Sequence, residues 1–203
     1  MTDFQNPYSA NPYSPPSADI TTQIADQTPR FYVVAPKKFL ILFIATVGLY
    51  EIYWFFKNWS NFKIKTNESI WPVPRAIFSV FFAHSLFDKV DKSLKYRNNE
   101  RAWNPAGLAT IFVVFQILSN VAERLAGKDI GMPITAYISL ISLPIITWAL
   151  YQAQLAINQA CGEPNGESNQ NLSGANYIWI VLGVFYWCLI ILGLYTLTTE
   201  LPL

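Results

Sequence analysis

The chain has 203 residues, of which 52% are hydrophobic, 16% aromatic and only 13% charged, and its formal net charge is +1. Because soluble domains carry about 25% charged residues, this composition argues against a soluble protein and favours a membrane protein. The small net charge gives no support for a nucleic-acid partner, which would need a concentrated basic face. The two cysteines, Cys161 and Cys188, form no Cys-x-x-Cys pair, so we expect no disulfide framework.

Residues 1–36 form a polar leader. It contains a tandem repeat of Asn-Pro-Tyr-Ser, beginning at Asn6 and again at Asn11, and two prolines follow. Proline does not sustain a helix interior, and the leader has too few apolar residues for a core. We predict a disordered tail over 1–36 and one helical membrane domain over 37–203. Docking of the Pro/Tyr-rich tail on a partner is the alternative.

The first long apolar stretch, 39–56, lies between Lys38 and Lys57. At ~1.5 Å rise per residue, a helix of this length matches a ~30 Å hydrocarbon core, so we predict a first membrane span. The Tyr, Trp and Phe residues at its far end are typical of an aromatic belt at the interface. Its one charge, Glu51, either reaches the interface or has a buried pairing or functional role, because intramembrane charges cost several kcal/mol.

An amphipathic stretch covers about 75–97. Its first half is apolar but too short to span a bilayer alone. In its second half Leu86, Phe87, Val90 and Leu94 share one face at helical spacing. We predict an amphipathic helix that lies in the interface or enters the membrane obliquely, as an interfacial or re-entrant element. A full span with a water-exposed extension is the competing interpretation.

The opposite face of this helix carries His84, Asp88, Asp91 and Lys95. The spacing i, i+4 and i+7 places the histidine and both carboxylates on one side, where they could ligate a divalent metal or relay protons. Three ligands are few for a metal site, and no second cluster offers the rest. We therefore interpret these residues as a polar helix face, with Asp91 and Lys95 forming an i,i+4 pair, and expect no metal and no cofactor.

Three further apolar stretches predict spans at about 105–122, 133–151 and 177–196. In the first, Gln116 and Asn120 lie on one face, where amides commonly hydrogen-bond across helices. In the second, Pro144 predicts a kink and frees the carbonyl of Leu140. The third has two glycines, Gly183 and Gly193, that permit close helix approach. The predicted architecture is thus all-α and polytopic, with four transmembrane helices plus one amphipathic helix.

Hydroxyl groups near Pro144, on Ser139, Ser142 and Thr147, are candidates to satisfy its freed carbonyl. In the last span, Trp179, Trp187 and Tyr195 are candidate interfacial anchors. The segment between spans one and two is the most basic, which favours the cytoplasm for it under the positive-inside rule. Four spans would then leave both termini outside, whereas a fifth span at 75–97 would place the N-terminus inside.

Three runs in this sequence resemble an uncharacterised family of small bacterial multi-spanning membrane proteins. The first is Gly48-Leu-Tyr-Glu-Ile-Tyr-Trp-Phe-Phe-Lys-Asn-Trp59, a Gly-x-Tyr-x-x-Tyr-Trp-Phe signature that ends the first span and is preceded by Lys37-Lys-Phe. The others are Trp71-Pro-Val-Pro-Arg-Ala-Ile-Phe-Ser-Val-Phe-Phe and Asn176-Tyr-Ile-Trp. The resemblance implies a bacterial inner-membrane location and supplies no reaction and no residue roles.

Three hypotheses about function follow. The first is a non-enzymatic integral membrane protein that associates with membrane lipid or with a membrane-protein partner, including a second copy of itself. Basic residues would then contact anionic headgroups at about 1 kcal/mol each. The candidates are Lys63, Lys65, Lys92, Lys95 and Arg97.

The second hypothesis is a small oligomeric transporter or channel subunit, in which Glu51, Gln116 and Asn120 face one polar path. The third is a membrane-embedded enzyme that uses His84, Asp88 and Asp91. Serine-nucleophile, zinc and phosphate-loop signatures are absent from the sequence, so we expect no enzyme and assign no catalytic residue.

Overall fold

The computed structural model describes residues 31–97 and 101–200. Most of the predicted tail therefore lies outside the described residues. Within them all regular secondary structure is helical, which confirms the all-α prediction. The helices are α1 Pro36–Ala45, α2 Tyr50–Thr66, α3 Pro72–Ile77, α4 Ser79–Tyr96, α5 Pro105–Ala126, α6 Ile134–Ala160 and α7 Gly174–Glu200, with a short 3-10 turn at Glu167–Asn169 before α7.

Three of these helices, α5, α6 and α7, are long and apolar enough to cross a membrane. Their mean hydropathies are 1.6, 1.6 and 2.3 over Pro105–Ala126, Ile134–Ala160 and Gly174–Thr196. They contain the spans predicted at 105–122 and 177–196 and nearly all of that at 133–151. Their length and composition indicate an integral membrane protein.

The predicted first span at 39–56 is not one helix, and that prediction is wrong. α1 ends at Ala45 and α2 begins at Tyr50. Between them Val47 (φ 52°) and Gly48 (φ 85°) adopt left-handed backbone conformations. The Gly48 N–H donates to the Phe43 carbonyl at 2.9 Å, and the Val47 N–H donates to the Ile44 carbonyl at 3.1 Å. This pair of bonds is a Schellman end, which stops a helix whatever its hydropathy.

α1 and α2 fold back on each other as a helical hairpin. The Phe39 ring lies 5.9 Å from that of Tyr50 and 6.2 Å from that of Trp54. Further from the turn, Phe31 stacks on Phe62 at 5.8 Å. The farther a contacting pair lies from the turn, the larger is the number of residues between its two members, which identifies an antiparallel pair of helices. The hairpin therefore has its two open ends together and a tip at residues 46–49.

The hairpin carries much of the aromatic core. Trp54, Phe55 and Trp59 on α2 are fully buried. The interpretation of Trp54 and Phe55 as an interfacial belt is therefore wrong. The α2 rings pack between the other helices instead, as with Phe55, whose ring centroid lies 5.5 Å from that of Phe112 on α5.

The amphipathic helix predicted at 75–97 is found as α4, but Phe78 separates its first turns as the short α3. The predicted apolar face is the buried one, with Leu86, Phe87, Val90 and Leu94 each at most 2% exposed. α4 runs antiparallel along α5, because Asp91 meets Trp103 and His84 meets Thr110. A helix aligned with a candidate span favours the re-entrant interpretation over one flat in the interface.

The extended segment before α1, residues 31–35, is held by an amide clamp. Asn158 accepts from the Val34 N–H at 3.3 Å and donates to the Val34 carbonyl at 2.9 Å. Gln154 donates to the Tyr32 carbonyl at 3.1 Å and to the Asn158 side chain at 2.7 Å. Both amides have no exposed surface. The extended segment has no sheet partner, and these amides supply hydrogen-bond partners for its backbone groups instead. The clamp also ties the segment to α6.

One end of the molecule contains Phe31 and the last turns of α2 and α4, which carry Lys63, Lys65 and Lys95, and is called the basic end. The Phe31 N–H donates to the Cys161 sulfur at 3.4 Å, and the Arg97 guanidinium lies beside Gly162. These contacts bring Phe31, the end of α4 and the end of α6 together. The sequence analysis separated the segment before α1 from the basic segment by a full span. The returning hairpin instead places both at the same end, and the cytoplasmic location expected for the basic segment stays a prediction.

Cysteine labelling would check this arrangement in a background with Cys161→Ser and Cys188→Ala. We expect Lys92→Cys and Ser168→Cys to react with a membrane-impermeant maleimide from one side, and Lys128→Cys, in the α5–α6 turn, from the other. Under the positive-inside rule, we expect the side of Lys92 to be cytoplasmic. Labelling of Lys92→Cys and Ser168→Cys from opposite sides would contradict the fold.

Candidate functional site

A cavity of about 790 Å³, here called the chamber, lies between the hairpin tip, the start of α4 and the three long helices. Residues from the tip, such as Gly48 and Leu49, form one wall, and Ala126 and Met132 at the α5–α6 turn also line it. The chamber thus extends from the tip to the end of the molecule opposite the basic end. Its polar lining residues are Glu51, Ser79, Gln116, Ser119, Asn120, Glu123 and Ser139.

Glu51 lies where the chamber meets the hairpin. Its side chain is only 6% exposed, and the Ser79 hydroxyl donates to its Oε1 atom at 2.6 Å. Glu51 lies in the first turn of α2, where the helix dipole favours a negative charge. The ion pairs found among the described residues join Lys89 to Glu68, Lys92 to Asp88 and Lys95 to Asp91, and none of these includes Glu51. Glu51 was expected either to reach the interface or to be buried, and the structure shows it buried.

Gln116 and Asn120 line the same chamber as Glu51. The structure thus brings together the three polar candidates that the sequence singled out. We expected these amides to bond a neighbouring helix. The Asn120 amide instead donates to the Gln116 backbone carbonyl of its own helix at 2.8 Å. Asn120 is exposed toward the chamber, and Gln116 is half-buried.

Glu123, which the sequence did not single out, is a second carboxylate of the chamber. The hydroxyls of Ser139 and Ser119 donate to its Oε1 atom at 2.7 and 3.2 Å. Ser139 was expected to satisfy the carbonyl freed by Pro144, and it bonds Glu123 instead. The signal that could have found this site is the spacing of Gln116, Ser119, Asn120 and Glu123, which is one helix face.

The hydroxyls near Pro144 have other acceptors than the freed carbonyl. Ser142 donates to the Ile138 carbonyl and Thr147 to the Leu143 carbonyl, both at 2.7 Å. Neither bond goes to the Leu140 carbonyl, which these hydroxyls were expected to satisfy. Both hydroxyls bond back to their own helix four residues earlier, a pattern that commonly bends helices.

α7 holds the hairpin tip. The Trp187 indole N–H donates to the Ile44 carbonyl at 2.8 Å, so Trp187 contacts α1, and its role as an interfacial anchor stays a prediction. At Gly183, an added Cβ would overlap the Ala45 carbonyl, whereas Gly193 has nothing within 4 Å. Close helix approach is confirmed at the first glycine. The last carbonyls of a helix have no i+4 N–H partner within that helix. At the end of α1, Trp187 bonds the Ile44 carbonyl and Gly183 packs against the Ala45 carbonyl.

The histidine and carboxylates of α4 do not form a shared site. His84 meets the Thr110 hydroxyl at 3.1 Å, and Asp88 pairs with Lys92 at 2.7 Å. Asp91 accepts from the Trp103 indole at 3.0 Å and pairs with Lys95 at 2.7 Å, which confirms the predicted i,i+4 pair. Within residues 31–97 and 101–200, no group of three His, Cys, Asp or Glu side chains could hold a metal ion.

The basic candidates lie toward the basic end. Lys63 and Lys65, in the last turn of α2, are exposed. Lys92 and Lys95 have side chains 72% exposed, and each forms an ion pair within α4. Arg97 follows the last turn of α4 beside Gly162. The five cations are therefore placed where headgroups could meet them, but two of them share their charge with a carboxylate.

No protein-family model, no curated protein and no solved structure matches this chain. The fold and the chamber define an all-helical integral membrane protein with a broken first hydrophobic stretch. The resemblance carried by the run from Gly48 to Trp59 stays a prediction. Glu51, Trp54 and Trp59 in that run are buried, so packing of the hairpin is by itself a sufficient reason for the pattern.

Proposed function

We propose that this chain is a non-enzymatic integral membrane protein whose chamber binds a small-molecule solute, as a subunit of an oligomeric transporter or channel. α5, α6 and α7 would cross the bilayer, and the hairpin would enter and leave it from the basic end. The observation that carries the proposal is the chamber itself, where Glu51, Gln116 and Asn120 meet beside a broken helix.

The broken backbone supports this placement of a polar site. Non-helical backbone at membrane depth is tolerated only where protein buries it or where it lines a water-filled cavity. Thr46 is only 3% exposed, and Val47, Gly48 and Leu49 line the chamber, so protein buries the first residue of the break and the chamber borders the other three. Discontinuous helices of this kind form the solute sites of many transporters, near the bilayer midplane.

The dimensions of the chamber also suit a bound solute. Small-molecule sites have volumes of roughly 300–1,000 Å³ and combine an apolar wall with a few polar groups. The chamber, at about 790 Å³, fits that description. On the hairpin side its wall includes the buried ring of Phe43, and the Phe39 ring lies behind it at 5.6 Å. Solute would enter from the end opposite the basic end, and passage would need movement of the tip.

Labelling of single cysteines would test whether the chamber holds water. We expect Gln116→Cys to react rapidly with a small cationic methanethiosulfonate in proteoliposomes. Ile117→Cys, one residue away and 48% exposed on the protein surface, is the matched control and should react about tenfold or more slowly, because thiols in hydrocarbon do not form the reactive thiolate. Equal rates at the two positions would rule out a hydrated chamber.

The basic end supports a second candidate, association with anionic lipid. Lys63 and Lys65 lie in one helical turn and are exposed, and a cation near the surface contributes about 1 kcal/mol. In nanodiscs of mixed lipid, we expect Lys63→Gln with Lys65→Gln to lower enrichment of fluorescent phosphatidylglycerol around the protein. Lys128→Gln is the control at the other end. Enrichment that ignores the double substitution would remove this candidate.

A bacterial inner membrane is the proposed location. One support is the resemblance carried by the signature run. The other is the set of three apolar helices, since helical spans are typical of inner-membrane proteins and β-barrels of outer-membrane proteins. A membrane-protein partner or a second copy of the chain would complete the solute path, since three spans are few for a monomeric carrier.

A further inference from the structure

We propose, resting on the solute site above, that the chamber takes a bulky organic cation, a quaternary or protonated group with an apolar body. Glu51 supplies the buried counter-charge and Glu123 a second carboxylate nearer the α5–α6 turn. The inference rests on the charge, the hydrogen bonding and the shape of the chamber.

The charge of the chamber has one sign. Its described lining residues include two carboxylates, Glu51 and Glu123, and no lysine, arginine or histidine. Charges interact more strongly across a low-dielectric cavity than in water, and clefts lined by one sign of charge concentrate ligands of the other sign. The chamber therefore favours a cation over an anion of the same shape.

Glu51 has bonding capacity left over. The side chain is 94% buried, since 6% of it is exposed. Ser79 donates to Oε1, and the described hydrogen bonds give the other carboxylate oxygen, Oε2, no partner. A buried carboxylate is costly unless it is paired. Because Glu51 lines the chamber, a cation bound there would supply the missing charge.

The remaining walls favour an apolar body. Among the described residues, no group of three or more His, Cys, Asp or Glu side chains could hold a metal ion. Opposite the polar face of α5, the chamber is lined by Leu140, Leu143 and Ile146 of α6 and by Tyr186 and Ile190 of α7. An occupant with a delocalised charge and apolar substituents matches both faces, and the Tyr186 ring can add a cation–π contact.

Two probes of the same shape and opposite charge would test the inference. Tetraphenylphosphonium and tetraphenylborate are compared by equilibrium dialysis against the purified full chain in detergent, with protein-free micelles subtracted. We expect saturable binding of the phosphonium and none of the borate. Glu51→Gln should weaken phosphonium binding by about tenfold or more, as the loss of a close charge pair predicts.

Matched variants keep the result interpretable. Glu167→Gln changes an exposed carboxylate before α7 and should leave binding unchanged. Glu123→Gln changes an exposed carboxylate of the chamber and should weaken phosphonium binding severalfold. Because Glu123 is exposed, this result is independent of whether the buried Glu51 site tolerates substitution. Glu51→Asp, which keeps the charge, should bind more tightly than Glu51→Gln. Size-exclusion profiles establish that each variant is folded.

The outcomes separate this inference from the proposed function. If the borate binds as well as the phosphonium, or if Glu51→Gln and Glu123→Gln both bind normally, the cation inference is overturned. The hydrated chamber still stands in that case, provided that Gln116→Cys reacts faster than Ile117→Cys. If neither ion binds and the two cysteines react equally, the solute site itself is wrong.

Discussion

Gly183→Ala should dislodge α7 from the hairpin tip and lower stability by about 3 kcal/mol or more, the upper range for overpacking. The added Cβ would overlap the Ala45 carbonyl oxygen and lie 2.7 Å from its carbonyl carbon and 3.0 Å from the Thr46 Cα. All three atoms belong to the backbone, which cannot turn aside as a flexible side chain can. Thermal unfolding in detergent would show the effect as a midpoint lowered by roughly 6–12 °C, at about 2–4 °C per kcal/mol.

Gly193→Ala is the matched control on the same helix. A Cβ at Gly193 has open space around it, and alanine is the better helix former, so the midpoint should stay the same or rise slightly. Equal losses in the two variants would mean that the glycines act through helix propensity. The contact between α7 and the tip would then not explain the effect.

Asn158→Leu should cost about 2–5 kcal/mol, because it opens the amide clamp. The substitution removes the partner of the Val34 N–H and carbonyl and the acceptor of the Gln154 amide. Each buried group left unpaired costs about 1–3 kcal/mol, and a leucine of similar size cannot replace these bonds. The measurement is the unfolding midpoint, together with faster hydrogen exchange at the Val34 amide.

Gln152→Leu is the control for the clamp. It lies two residues before Gln154 on α6, is half-buried, and accepts one long bond of 3.4 Å from Arg101. We expect a change within about 0.5 kcal/mol, as for surface substitutions. A large loss in Gln152→Leu, or protection of the Val34 amide that survives in Asn158→Leu, would contradict the role of the clamp.

Hydropathy predicted α5, α6 and α7 well, because helices of this length and composition need nothing beyond their own sequence to be recognised. It failed at 39–56, where a Schellman end places the β-branched Val47 in a left-handed conformation. Such a conformation is an outlier for valine, so local propensity predicts a continuous helix. Tertiary contacts from Trp187 and Gly183, about 140 residues further along the chain, help hold the break.

The chamber was predictable in part. Glu51, Gln116 and Asn120 were singled out because polar groups in apolar helices are costly, and their common location follows from the fold. Ser79 was missed because it meets Glu51 only after α2 and α4 are packed together. The amide clamp was missed for a similar reason, since Val34 and Asn158 are 124 residues apart in sequence.

The returning hairpin has a consequence for how the protein is inserted. In the proposed topology, α1 and α2 enter and leave the membrane at one end, so the highly charged segment that follows them is not translocated. Of the described connections, the short turn between α5 and α6 is then the one that crosses, and it carries Lys128 and Asp129, whose charges cancel. Among the described residues, this topology therefore exports little hydrophilic chain between helices.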